Sequence, residues 1–292
     1  MLDIFLFQVL VGIYLGFFLW MISSGLSLIF GVGKIVNFAH GSLYMLGSYF
    51  LNTCLIWGFM GVKFGREYYW LSLIVGSLIV MAIGIAIERF LIKPLYYQPP
   101  ETVILLTFGL AIFFDDFVKF VWGPRYSVGS PPFGFEQTIL IFNRPFPIFN
   151  FLIIIFGGLT FIFLQFAIKK TRWGMIFRAV SSDREMASAL GVNIDKVSFE
   201  VFAIGTFLAA FSGGLAAAVR TVMPGMGSSV LLDSFAALII GGLGSIKGAL
   251  IGSLIIGLTS SLGVYFFPTF DLPVQFAVVA IILLLRPGGL FK

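Results

Sequence analysis

The sequence predicts an all-α fold: a polytopic transmembrane helical bundle of about eight to nine hydrophobic segments, some of them broken by glycine or re-entrant. Three observations predict it. The chain has 292 residues, 59% hydrophobic and only 11% charged, whereas a soluble domain carries roughly 25% charged residues. Its mean hydropathy is +1.07. Apolar runs recur from end to end with no polar block long enough to fold separately. A surface so poor in charge needs a bilayer as its solvent, and residues 1–292 read as one membrane domain with a polar inner loop at about 169–197.

A helix that crosses the hydrocarbon needs about 20 apolar residues. Runs of that kind lie at 5–30, 36–59, 70–87, 102–122, 147–168, 198–220, 229–246, 248–266 and 272–285. The first begins near Phe5 without a basic flank and is too long for the apolar core of a signal peptide, so no cleavable signal is expected. The second contains the single cysteine, Cys54, which excludes an internal disulfide framework and reads as a small buried hydrophobe. The fourth carries Asp115 and Asp116 near its end, where a solvated helix terminus is the ordinary reading and an ion or proton site the sharper one; Asp233 reads similarly. Glu88 and Glu200 read as interfacial. Gly241, Gly242, Gly244 and Gly248 separate the seventh run from the eighth, which is why the count is eight or nine.

The stretch Lys169–Lys196 holds Lys169, Lys170, Arg172, Arg178, Arg184 and Lys196, so it belongs in the cytoplasm. Tracing the runs from it puts the amino terminus outside and Arg286 and Lys292 inside. Of the 18 Lys and Arg, twelve then fall inside and six outside, the latter being Lys63, Arg66, Lys119, Arg125, Arg144 and Arg220. The net charge of +5 is therefore a topology signal, and no nucleic-acid partner is expected. The outer loop at 123–146, rich in Pro, Gly and aromatics, is expected on the membrane surface.

Two glycine-rich stretches interrupt the apolar pattern, residues 31–42 with Lys34, Asn37, His40 and Ser42, and residues 241–248. They hint at a weak internal repeat of the kind transporters have. Polar groups at membrane depth need protein or wet partners. Asn37, His40 and Ser42 therefore read either as interhelical hydrogen bonds or as contacts along a substrate path. No catalytic residues are expected: one histidine excludes a two-histidine metal helix and no metal is expected, while a Ser212–His40 pair is the remaining enzymatic rival. Gly33-Lys34 is followed by Ile35, and neither it nor the Lys247 region is a phosphate-binding loop. An ion-driven carrier or channel would need charges deep in the bundle.

The inner loop contains residues 178–191, whose middle reads as a short amphipathic helix, capped at its start by Ser182 or Asp183 and closed by Gly191. Such a helix suits docking into a groove of a partner or lying on the membrane surface. Glu185, Ala187 and Gly191 resemble the Glu-Ala-Ala-x-x-x-Gly loop of ABC importer permeases, with Met186 at the second position. Gly25–Gly31, Ile35–Gly41 with its Asn-Phe-Ala-His-Gly, Tyr44–Gly47, Ala237–Ser245 and Leu285–Phe291 resemble the permeases of branched-chain amino acid importers, closest to the LivH-type subunit.

That resemblance covers nearly the whole chain. It implies an inner-membrane permease with a second, LivM-type permease subunit, two cytoplasmic ABC ATPase subunits and an external substrate-binding protein. It implies no cofactor on this chain, with ATP-Mg on the ATPases. Arg178, Asp183, Glu185, Ala187 and Gly191 would form the ATPase coupling loop. Related permeases carry urea, short amides or other amino acids, which are the alternatives along with the carrier.

Overall fold

The computed structural model describes residues 2–57, 65–96, 98–266, 268–269 and 271–291. Lys63 and Lys292, which entered the orientation count, lie outside them. Among the described residues each of the nine apolar runs contains a helix: α1 (Leu2–Gly33), α2 (His40–Asn52), α3 (Tyr69–Ile87), α4 (Pro100–Trp122), α5 (Ile148–Lys170), then α8 (Ile194–Ala217), α9 (Met226–Gly241), α10 (Ile246–Phe266) and α11 (Asp271–Leu285). Between α5 and α8 lie α6 (Arg172–Ser182) and α7 (Arg184–Ala189). Among the described residues five helical stretches are long and apolar enough to cross a membrane: α1, α3 with its flanking turns, α5, α8 and α10. Helix α4 is long enough but carries Glu101, Asp115, Asp116 and Lys119; α9 and α11 are apolar but short.

The helix ends sort into two groups, as an alternating trace requires. At one end Lys93 after α3 pairs with Asp195 of α8 at 2.7 Å, and Arg184 lies over the Tyr96 ring. At the same end the Leu290 amide donates to the Ile240 carbonyl at 2.9 Å. At the other, Trp122 Nε1 donates to Thr53 Oγ1 at 2.6 Å and Ser261 Oγ to the Gln8 carbonyl at 2.7 Å. The 123–147 loop adds short strands here. β1 (Ser127–Val128) pairs antiparallel with β4 (Thr221–Val222), and β2 (Thr138–Ile141) with β3 (Arg144–Pro147) in a hairpin.

Two connections depart from the simple trace. The second apolar run does not enter as a helix: residues 34–39 are extended or turning, with Lys34 at φ 52°, and α2 begins only at His40. The His40 ring reaches the Ile22 carbonyl, eleven residues before the end of α1, which at 1.5 Å per residue is about 16 Å inside the helix end. Likewise Thr107 and Ser42 tie this segment to the middle of α4, through the Val36 and Ala111 carbonyls. The α1–α2 connection is therefore re-entrant. Helix α9 starts at Met226, so Asp233 is its eighth residue of 16 and lies mid-helix, not near a span end.

Close backbone approach sets the packing. Lipid tails are as apolar as leucine, so helices associate through van der Waals fit and interhelical hydrogen bonds. Helix α1 packs along α10, where a Cβ on Gly16 would lie 2.8 Å from the Leu254 Cα. A Cβ on Gly213 of α8 would overlap the Tyr44 carbonyl of α2, and Ser48 Oγ donates to the Gly213 carbonyl at 2.6 Å beside it. By contrast Gly158 of α5 faces open space. Gly16→Leu is expected to lower stability by about 1–3 kcal/mol through overpacking, whereas Gly158→Ala is expected to leave it unchanged or raise it by up to about 1 kcal/mol. Thermal unfolding of the two variants in detergent checks the contrast.

Candidate functional site

The end of the bundle that carries the Lys93–Asp195 pair holds the most elaborated polar element. Thr171 caps α6, its Oγ1 accepting from the Gly174 amide at 3.1 Å, and Asp183 caps α7, its Oδ1 accepting from the Met186 amide at 2.9 Å. The expected helix between the Ser182 or Asp183 cap and Gly191 is α7, with Asp183 as the cap; α6 before it was not expected, and the two are separate because Asp183 leaves helical geometry. Gly191 adopts φ 86°, and the amides of Gly191 and Val192 return to the carbonyls of Ser188 and Ala187, which closes α7 in the manner glycine permits.

This element is anchored on one side and bare on the other. Arg178 donates from Nη1 to the Ile168 carbonyl, so it braces α6 against the end of α5. Trp173 stacks on Phe177 and donates to Glu200 Oε2 of α8 at 3.0 Å. Ala187 is buried, while Glu185, Met186, Ser188, Ala189 and Leu190 are exposed, Leu190 at 78%. The bare side borders a cavity of about 770 Å³ lined by Tyr96, Arg184, Glu185, Ser188, Ala189 and Asp195. Burial, and then the neighbouring Glu88 carboxylate, push the Tyr96 phenol well above its usual range. It therefore stays neutral and donates to Glu88 Oε1 at 2.9 Å.

The three predicted path residues meet at the re-entrant connection. Asn37, His40 and Ser42 are all buried, at 1%, 0% and 4% exposure. Asn37 Oδ1 accepts from the Ala39 amide at 3.1 Å and shapes the turn into α2. His40 Nε2 faces the Ile22 carbonyl at 3.2 Å, and its Nδ1 has no partner among the described residues. Ser42 Oγ donates to the Ala111 carbonyl at 3.4 Å. Ser212 instead donates to Ala209 at 2.8 Å in its own helix, so it does not pair with His40 and no nucleophile is assembled there. Among the described residues no group of acidic, histidine and cysteine side chains is placed to hold a metal.

Sequence reasoning missed Arg220, counted above as an outer-loop charge. Its guanidinium is folded back into the bundle, 4.5 Å from the Phe18 ring centroid. A charge count along the chain cannot detect this. The only sequence sign is that the run 198–220 ends on a charge with no polar flank after it.

The chain matches the family model described as branched-chain amino acid transport system / permease component over residues 8–285. It is 32% identical to the high-affinity branched-chain amino acid transport system permease protein LivH of Salmonella typhimurium, over 98% of this chain and 95% of that one. It is 29% identical to the corresponding BraD protein of Pseudomonas aeruginosa over the same shares. It is also 32% identical to a probable branched-chain amino acid transport permease protein LivH of Methanocaldococcus jannaschii, over 84% of this chain and 77% of that one. No solved structure matches it.

If Asp183 caps α7 as described, Asp183→Ala is expected to fray that helix by about 1 kcal/mol. Amide hydrogen exchange at Glu185–Ala187 should then quicken by roughly fivefold, with α6 unaffected because Thr171 caps it separately.

Proposed function

Because the chain belongs to the branched-chain amino acid transport system permease family, a family of transport components and not of enzymes, we propose that it is the membrane-spanning subunit of an ABC importer for branched-chain amino acids in the inner membrane. In this reading two cytoplasmic ATPases hydrolyse ATP-Mg, a second, LivM-type permease completes the channel, and an external binding protein delivers the cargo. The observation that carries it is the α6–α7 element. Its inner side is locked to α5 and α8 through Arg178 and Trp173. Its outer side presents Glu185, Met186 and Leu190 uncovered. A short helix with an apolar tip, an acidic side chain and a firm base has the form of a helix-in-groove ligand. A rigid base is what a coupling element needs if motion of the partner is to reach the spans.

The permease does no covalent chemistry. Closure of the ATPases on ATP would move α6–α7, and the bundle would exchange between two packings, outward- and inward-open. The path is proposed to pass the re-entrant connection. There the start of α2 and the polar groups of Asn37, His40 and Ser42 sit near mid-depth, and a half-helix terminus can stabilise charge without a buried ion. Arg178, Asp183, Glu185, Ala187 and Gly191 divide the coupling work. Arg178 and Asp183 hold the shape, Ala187 seats α7 on the bundle, Gly191 closes it, and Glu185 faces the partner.

Co-expression with the ATPases, the second permease and the binding protein is expected to yield a stable complex that imports leucine into vesicles only with ATP, with isoleucine and valine competing. Glu185→Ala and Gly191→Val are expected to reduce recovery of ATPase with the permease by about tenfold, as loss of a central interface contact does. Membrane insertion should be unchanged. Full ATPase recovery in both variants removes the coupling role, and ATP-independent uptake removes the importer.

A further inference from the structure

Between α1, α2 and α9 lies a second polar cluster, remote from α6–α7, that neither the coupling element nor the re-entrant connection uses. Arg220, just past α8, lies over Phe18 at 4.5 Å, with Tyr14 one turn earlier on α1, and Ser23 of α1 donates to the Ser234 carbonyl next to Asp233 at 3.5 Å. Phe18 and Tyr44 pack edge to face at 6.0 Å. Asp233 lies midway along α9, and its Oδ1 accepts from Gln275 Nε2 of α11 at 2.7 Å. Among the described residues neither Arg220 nor Asp233 belongs to an ion pair. The Tyr44 hydroxyl, in a fully buried side chain, has no hydrogen-bond partner among them.

Each feature is costly by itself. A buried hydroxyl left unbonded loses its hydration for nothing. Two opposite charges brought to neighbouring places in a bundle, yet not joined, forgo the contact that would offset their desolvation. A ligand that carries a negative and a positive group on one short skeleton removes both costs. A guanidinium presents a planar fork suited to a carboxylate, a phenol adds a second donor, and a carboxylate accepts from an ammonium.

We propose that Arg220, Tyr44 and Asp233 form a head-group site for a free α-amino acid in transit, Arg220 and Tyr44 donating to its carboxylate and Asp233 accepting from its ammonium. Phe18 and Tyr14 wall the site on the α1 side. It deepens the amino-acid reading above and rests on it. The site recognises what all α-amino acids share and is blind to the side chain, so it sorts zwitterions from urea, short amides and simple ions.

The test uses the assembled importer in proteoliposomes, with leucine-loaded binding protein at saturation. Tyr44→Phe removes one oxygen that the protein itself does not use, so folding supplies no reason for harm. Leucine uptake is expected to fall about threefold in Tyr44→Phe, the loss of one neutral hydrogen bond. It should fall about tenfold or more in Arg220→Gln, the loss of a charge-assisted one, with Arg220→Lys intermediate. The ATP hydrolysed per leucine imported should rise by the same factors, a ratio that mere loss of assembled complex does not move. Uptake by Tyr44→Phe and Arg220→Gln that matches the unaltered importer overturns the site and leaves the importer reading standing. Uptake and hydrolysis that fall together at constant ratio overturn the site in the same way. An unaltered importer that carries urea and no amino acid overturns both.

Discussion

Every contact between helices in this bundle has to be made without the hydrophobic effect, because lipid on one side of a helix is as apolar as protein on the other. What remains is shape, and shape here means backbone against backbone. Gly16 lets α1 lie on α10, and Gly213 lets α8 reach the main chain of α2. Once helices touch at that distance, side-chain hydroxyls can bond to the neighbour's carbonyls, as Ser48 does at Gly213. The polar groups inside the membrane are thus a consequence of the close approach, and they fix its register.

The same constraint explains the re-entrant connection. Extended backbone at membrane depth is tolerated only where protein covers it and meets its polar groups. The segment 34–39 satisfies this by lying against α1 and α4. Thr107 Oγ1 reaches the Val36 carbonyl, Asn37 closes the turn on the Ala39 amide, and Ser42 Oγ donates to Ala111. Phe38, between Phe108 of α4 and Phe235 of α9, fills the space beside it. A connection that needs three helices to cover it also joins them, and a shift of any one of them disturbs its hydrogen bonds.

Much of the architecture was legible because a window of about 20 apolar residues is a strong signal, and among the described residues each of the nine runs contains a helix. What was not legible has a common cause. Hydropathy measures what a segment dissolves in, not what its backbone does, so Val36, Phe38 and Ala39 counted toward a helix that starts only at His40. A charge count follows the chain and not its folding back, so Arg220 fell in a loop although its guanidinium returns to Phe18. Asp233 was placed near a terminus because the run was begun at 229, three residues after α9 starts. For the inner loop, Gly191 and the Asp183 cap could be read from residue type. Helix α6 was not read at all, although Trp173, Phe177 and Val180 recur at helical spacing.

The order in which these parts connect bears on how force would travel. Helix α6 packs against α1, α5 and α8. Gly31 lies against the Phe177 ring, where a Cβ would come within 3.1 Å, and a Cβ on Gly174 would overlap the carbonyls of Ala167 and Ile168. Contacts this close are stiff, since a packed interface repacks between discrete arrangements more readily than it deforms. A push on α7 would therefore pass through the Asp183 joint to α6 and from there to the carboxyl end of α1. That end leads directly into Lys34 and the re-entrant segment, so the α6–α7 element and the mid-depth polar groups are separated by one helix end and the short connection 34–39. Residues 243–245 line a cavity of about 390 Å³ together with Gly31, Lys34, Phe177 and Lys247, and a Cβ on Gly244 would meet the Gly31 Cα at 3.5 Å. The α1 terminus thus lies against both α6, through Phe177, and the 243–245 loop, through Gly244, so a shift of either element bears on it.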